Sequence, residues 1–293
     1  IAVRLTDDAG RAWGQWDREP AAGPLRDWFA GDAHAETLGF LLEAGTPPGR
    51  YQVRLSVRDA GDRPLDAVPA SGGEPAAEVV LGSIDVVRPA APVSPAALPI
   101  ATTHGATLGS RATLLGFSAG AGPFAPGDEL KITLFWRAGA AGGNLVGFTQ
   151  LLDAGGNMVA GVEGVPTDGL FPPAAWQPGD LLRDPVSLRL PASLPDGRYR
   201  LITGLYEAGD GARLPARGRA TGKDYAILGE IVVRGRPHVY DAPAVAEPLD
   251  VRFGDVARLA GYDLAREAGA LRLTLHWQAL GETPTSYSVF VHA

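Results

Sequence analysis

Leu194-Pro-Asp-Gly-Arg-Tyr-Arg-Leu-Ile-Thr203 decides how this chain folds. From Tyr199 onward, Tyr199, Leu201, Thr203 and Leu205 alternate with Arg198 and Arg200, the period of two that marks a half-buried strand. The Asp-Gly pair just ahead is turn chemistry. The same arrangement stands 148 positions earlier in Thr46-Pro-Pro-Gly-Arg-Tyr-Gln-Val-Arg-Leu55, where Tyr51, Val53, Leu55 and Val57 alternate with polar residues. A strand entered through a turn and used twice points to a repeated all-β unit.

Further matches extend the repeat on both sides. Trp28-Phe-Ala-Gly-Asp32 aligns with Trp176-Gln-Pro-Gly-Asp180, Asp59-Ala-Gly-Asp62 with Glu207-Ala-Gly-Asp210, and Leu81-Gly-Ser-Ile84 with Leu228-Gly-Glu-Ile231. A second series relates the C-terminal region to the middle. Leu114-Leu-Gly-Phe117 resembles Leu259-Ala-Gly-Tyr262, Leu130-Lys-Ile-Thr-Leu-Phe-Trp136 resembles Leu271-Arg-Leu-Thr-Leu-His-Trp277, and Phe148-Thr-Gln150 resembles Phe290-Val-His292. Residues 104–235 are therefore expected to form one complete repeat. Residues 1–88 correspond to the later part of such a repeat and residues 250–293 to its early part. Residues 89–103 and 236–249, dense in Pro and Ala, read as extended, semi-rigid linkers. The two terminal segments are expected to complete a domain, either with each other or with those of a neighbouring chain.

Within 104–235, Leu130, Ile132, Leu134 and Trp136 alternate with polar neighbours, as do Val186, Leu188 and Leu190. Further strands are expected over 112–117, 144–152, 157–162 and 226–233, with Asp153-Ala-Gly-Gly156 as a hairpin turn. Seven or eight strands in such a unit indicate a two-sheet sandwich. Asp196-Gly-Arg-Tyr199 followed by Leu201 resembles the tyrosine corner of immunoglobulin and fibronectin-like domains. The reading is all-β, with tandem immunoglobulin-like sandwiches joined by Pro-rich linkers. Tyr51 and Tyr199 hold the corners, and Trp136 and Trp277 stand where a core Trp belongs.

Composition agrees with many short strands. The 293 residues include 39 Gly and 25 Pro, with no Cys and one Met. A net charge of −7 argues against nucleic acid or an anionic membrane surface as partner. The absence of Cys excludes disulfides, thiolate nucleophiles and Cys-ligated metals. No apolar run is long enough to span a bilayer. The chain opens at Ile1 without a signal-peptide pattern, which reads as a processed chain or an excised piece.

No catalytic constellation emerges. Gly116-Phe-Ser-Ala-Gly120 matches the G-x-S-x-G nucleophile elbow, but Ala-Gly-Pro-Phe-Ala-Pro-Gly127 cannot start the helix that an elbow needs. His34, His104, His238, His276 and His292 lack metal-ligand spacing, and His276 replaces Phe135 on a strand. Asp7-Asp8-Ala-Gly10, Asp153-Ala-Gly155 and Glu207-Ala-Gly-Asp210 lack the alternating ligands of a calcium loop. No catalytic residue, metal or cofactor is therefore expected. Trp28 and Trp176, in loops beside a Gly-Asp pair, are the candidates for stacking on sugar rings. Their recurrence at one place in both copies fits closing the end of a sandwich better.

The stretch Phe171-Pro-Pro-Ala-Ala-Trp-Gln-Pro-Gly-Asp180, with Leu182-Arg-Asp184, Leu194-Pro-Asp-Gly-Arg-Tyr199 and Gly204-Leu-Tyr-Glu-Ala-Gly209, carries a resemblance. So does Leu273-Thr-Leu-His-Trp-Gln-Ala279 with Tyr287-Ser-Val-Phe-Val-His292. These resemble soluble β-sandwich repeats of bacterial surface proteins, such as those following the membrane part of Chloroflexota proteins similar to family 39 glycosyltransferases. The resemblance implies an extracellular or cell-surface, non-catalytic module. The expected function is a structural spacer that associates head to tail with itself into a surface fibre. The alternative is a glycan-binding accessory module.

Overall fold

The computed structural model describes residues 1–293 apart from 22, 40, 60–62, 92, 141–142, 236–238, 242–243, 268, 282, 284, 286 and 292–293, with Glu267 described by its backbone. The fold is all-β. The N-terminal segment carries β1 (Ala2–Thr6), β2 (Ala12–Asp17), β3 (Gly49–Ser56) and β4 (Val79–Val86). The middle region carries β5 (Thr102–Leu108), β6 (Ala112–Ala119), β7 (Glu129–Ala138), β8 (Leu145–Leu152), β9 (Met158–Gly164), β10 (Leu181–Arg189), β11 (Gly197–Glu207), β12 (Ala216–Arg217) and β13 (Ala226–Val233). The C-terminal segment adds β14 (Glu247–Phe253), β15 (Ala257–Glu267) and β16 (Ala270–Ala279). Four sheets result, in the orders β2-β1-β3-β4, β10-β7-β6-β5-β12, β13-β11-β8-β9 and β14-β15-β16.

The middle region supplies two of these sheets. Alternation drives their apolar sides inward: Leu130, Ile132, Leu134 and Trp136 on β7, Leu182 and Leu188 on β10, and Leu201 and Leu205 on β11 are all buried. The hairpin between β8 and β9 follows its turn residues. Asp153 accepts the Asn157 N–H at 2.8 Å, and Gly156 takes φ 83°, a left-handed conformation suited to glycine.

Each terminal segment repeats a different part of the middle region in register. In the middle region Ala106 stands opposite Leu114 and Thr102 opposite Phe117; in the C-terminal sheet Val251 stands opposite Leu259 and Glu247 opposite Tyr262. Leu114 faces Trp136 and Gly116 faces Phe135, as Leu259 faces Trp277 and Gly261 faces His276, so both β-bulges fall at one place in both copies. The N-terminal sheet order β2-β1-β3-β4 reproduces β9-β8-β11-β13. Ala2 pairs with Asp17 and Ser56, as Phe148 pairs with Glu163 and Gly204.

Gly116 shows why this register is fixed. A Cβ there would lie 2.4 Å from both the Thr102 carbonyl and Ile100 Cγ2, and one on Gly261 would lie 2.6 Å from the Glu247 carbonyl. The first Gly of the G-x-S-x-G match thus lets strands approach at a bulge. Gly116→Ala is expected to cost about 1–3 kcal/mol, because the clash is with backbone that cannot rotate away. A urea midpoint equal to that of the unaltered chain would contradict this.

Contacts divide the chain into two compact units: Ile1–Ala121 with Leu130–Leu188 and Tyr199–Glu230, and Gly122–Glu129 with Arg189–Arg198 and Ile231–Ala293. Within the first, the N-terminal sheet is pinned to the middle region. Arg11 pairs with Asp168, Arg183 pairs with Glu43 and lies over the Trp13 ring, and Arg88 reaches Asp180 at 3.0 Å. Leu170 packs on the small core of Leu5, Trp13 and Tyr51. Part of the expected linker 89–103 is tied down too: Leu98 is buried, and the Ala101 N–H donates to Ser118 Oγ at 3.1 Å. The second expected linker, 236–249, lies partly outside the described residues, and β14 begins within it at Glu247.

Candidate functional site

A cleft of the first unit is lined by β7 and β10 from one sheet and β8, β9 and β11 from the other. Lys131, Thr149, Glu163 and Thr203 contribute polar groups, with Trp136, Asp168, Asp184 and Arg11 along its wall. Asp184 occupies an inward position on β10, in line with Leu182 and Leu188. Its carboxylate accepts the Thr167 N–H at 2.7 Å and the Trp136 Nε1–H at 3.3 Å. Burial pushes its pKa up to about 6, against the lowering influence of both donors and of Arg11. Alternation could have flagged this residue: it is the one acidic group in an apolar row.

The expected structural residues take separate places. Tyr51 is fully buried, and its hydroxyl donates to the Pro47 carbonyl at 2.7 Å, a tie to backbone four residues upstream. Burial raises its pKa, as does the neighbouring Asp7. Tyr199 and Trp136 are buried in the middle region. Trp277 is 40% exposed, whereas its register counterpart Trp136 is 1% exposed; Trp277 leans on Phe253 with ring centroids 5.3 Å apart.

Trp28 and Trp176 share a backbone setting, each closing a single 3-10 turn, yet differ as sites. The Trp176 indole is buried and donates to the Phe171 carbonyl at 2.9 Å, so no sugar ring can stack on it without opening the segment. Trp28 is half-buried beside the His34 ring, with the exposed Phe29 next in sequence. Its ring N–H has no acceptor among the described residues.

Ser118 lies within β6, not on a strand-to-helix turn, and its hydroxyl donates to the Pro99 carbonyl at 2.9 Å. His104 contacts the Ile227 carbonyl through Nε2 and accepts the Ala106 N–H at Nδ1. His276 meets Asp263 at 2.7 Å, and the Ala246 N–H together with this ring holds the Asp263 carboxyl below the usual range. His238 and His292 lie outside the described residues. Among the described residues no three His, Asp or Glu side chains gather as a metal site. No helix among them is long and apolar enough to cross a membrane.

A second kind of surface was not anticipated residue by residue. On the C-terminal sheet Leu271 is 62% and Leu273 39% exposed, while their counterparts Leu130 and Ile132 are buried. Val251 and Phe253 are likewise exposed where Ala106 and Leu108 are fully buried. This face carries a core's residues with no cover among the described residues.

No family model matches this chain, and no curated protein matches it. Among solved structures it is similar to one described as the C-terminal domain of wzt, at 12% identity and a TM-score of 0.32, covering 46% of this chain and 78% of that chain.

Proposed function

We propose that this chain is a non-catalytic structural protein of tandem immunoglobulin-like β-sandwich repeats, a spacer outside the cell whose segments associate head to tail. One observation carries the reading: the C-terminal sheet reproduces the strand pairs of β5, β6 and β7 down to the position of both bulges, and the N-terminal sheet reproduces the order of β9, β8, β11 and β13. A register conserved along a chain is the mark of stacked modules that depend on their neighbours. The side chains that sequence singles out as special support it, because Tyr51, Trp136 and Trp176 are spent on packing and on hydrogen bonds to their own repeat. The extracellular or cell-surface location rests on the resemblance of the repeats.

Trp28 favours a second reading, a carbohydrate-binding accessory module, because a half-buried indole beside Phe29 presents an apolar platform. A glycan array probed with the whole chain separates the two. The structural reading expects no signal above that of the Trp28→Ala chain. Saccharide binding that disappears in Trp28→Ala would establish the binding module instead.

A further inference from the structure

We infer that the cleft between the two sheets of the middle region is a binding site for a neutral saccharide of one or two rings, held by the Arg11 guanidinium and the Thr149 hydroxyl. The site is additional to the spacer reading and does not rest on it.

The repeats show that the cleft is built rather than left over. In the middle region Thr149 stands opposite Val162 on β9 and Thr203 on β11, and all three line the cleft. In the N-terminal sheet the same place is held by Val3, opposite Trp16 on β2 and Leu55 on β3. The middle copy therefore carries a valine where the other has an indole, and two hydroxyls where the other has aliphatic side chains. Packing alone favours the apolar row, because buried hydroxyls are costly and voids are unfilled contacts. Two residues further along, Gly147 faces Gly164, and a Cβ on Gly147 would meet nothing closer than 3.5 Å. The space is not imposed by the backbone there. Its volume is about 470 Å³, within the range of roughly 300–1,000 Å³ usual for small-molecule sites.

Two polar groups in this space are left wanting a partner. The Thr203 hydroxyl donates to the Phe148 carbonyl at 2.8 Å and lies 3.2 Å from Thr149 Oγ1. With its proton committed to that carbonyl, Thr203 accepts from Thr149, and the buried Thr149 oxygen keeps its lone pairs for a donor. Arg11 pairs with Asp168 through Nη2, while its Nη1 is buried and meets no acceptor among the described residues. Such an orphaned donor on a cavity wall is satisfied when a ligand oxygen arrives. The turn that presents Asp168 to Arg11 is strained: Thr167 and Asp168 take φ of 58° and 49°, left-handed values that a β-branched residue rarely adopts. The Thr167 N–H bond to Asp184 and the paired bonds between its hydroxyl and Phe171 hold it there. Strain kept in place by buried bonds is a feature of ligand sites.

The wall decides the class of ligand. An anion drawn to Arg11 would face Asp168 and Asp184, and a cation drawn to those carboxylates would face Arg11 and Lys131. A neutral group that both accepts from Arg11 and donates to Thr149 is a hydroxyl. The remaining wall, with Leu134, Val162 and Val186, suits a ring's C–H faces. Hydroxyls on a neutral frame of this size describe a saccharide of one or two rings.

The test is an array of neutral mono- and disaccharides, with uronic acids and unacetylated hexosamines as charged comparisons, probed with the whole chain. Its strongest neutral member is then titrated calorimetrically into variants checked by circular dichroism. Binding should persist in Trp28→Ala and weaken about tenfold in Thr149→Val, which keeps the shape and removes the acceptor, and in Arg11→Lys, which keeps the charge and removes the second nitrogen. Thr149→Val with Thr203→Leu restores the apolar pair of the N-terminal copy and should abolish binding; if that double variant does not fold, the two single variants decide. No neutral saccharide bound, a preference for the charged comparisons, or equal affinity in Thr149→Val and Arg11→Lys would each overturn the site. Binding lost in Trp28→Ala but kept in Thr149→Val would also overturn it and place the sugar at Trp28, in which case the spacer reading falls as well.

Discussion

Trp136→Ala should destabilise the middle sandwich by about 3–5 kcal/mol, read as a large drop in the urea midpoint followed by far-ultraviolet circular dichroism. Two effects add. Trp136 is among the largest fully buried side chains, so its removal leaves a cavity that surrounding strands cannot close. It also removes one of the two donors to Asp184, leaving a buried carboxylate with the Thr167 N–H alone. Trp136→Phe separates the terms: it keeps most of the volume and loses the N–H, and about 1–2 kcal/mol is expected from the unpaired oxygen. Trp277→Ala is the internal comparison. It removes the same residue type from the same register position, but the side chain there is 40% exposed, so under dilute conditions its cost should be well under half that of Trp136→Ala. Equal costs for the two would show that Trp277 is already covered in the isolated chain.

That contrast marks the boundary of what the sequence discloses. Period-two alternation located β7, β11 and β3 because their outward positions carry Arg, Lys or Thr and their inward ones Leu, Ile or Tyr. Repetition located the bulge glycines, Gly116 and Gly261, as matching letters. The reason for them, a carbonyl of the adjacent strand within 2.6 Å of a missing Cβ, exists only in three dimensions. β14 escaped notice because Pro248 sits in it, and Pro within a run argues against a strand. The edge of a three-stranded sheet tolerates it, since an edge strand needs only half of its N–H groups for pairing. Trp28 and Trp176 look identical in sequence. What parts them is the acceptor: Trp176 finds the Phe171 carbonyl, whereas the aligned position upstream of Trp28 is Gly23, and the Trp28 indole finds no acceptor among the described residues. Residues 33–39 and Leu41 show the same limit from the other side: they stand at the repeat positions of β10 but form no strand, because strand formation needs a partner edge and pairing is not a property of a segment alone.

Asp184 supplies the second large effect, and its sign runs against the usual behaviour of paired carboxylates. An unfolded Asp ionises near pH 4, whereas burial holds Asp184 protonated up to about pH 6 in the folded chain. Between those values the folded state binds a proton that the unfolded state has released, so stability falls as pH rises through the window. The loss amounts to about 2–3 kcal/mol and levels off above about pH 7, once both states are ionised. Asp153 and Asp263 act in the opposite direction, because hydrogen bonds hold their carboxyls below the usual range. They are present in every variant, however, and cancel in a difference. Asp184→Asn is therefore compared with the unaltered chain by urea unfolding at intervals from pH 4 to pH 7.5. At pH 4 the Asn chain should be the weaker, because its amide can accept from Thr167 but turns an NH2 toward the Trp136 N–H, donor against donor. As the pH rises the unaltered chain loses stability through Asp184 and the Asn chain does not, so the gap narrows by about 2–3 kcal/mol. A gap constant across the range would mean that Asp184 is already ionised at pH 4, held charged by its two donors and Arg11. In that case hydrogen bonding, not burial, would govern the one acidic residue in the core row of β10.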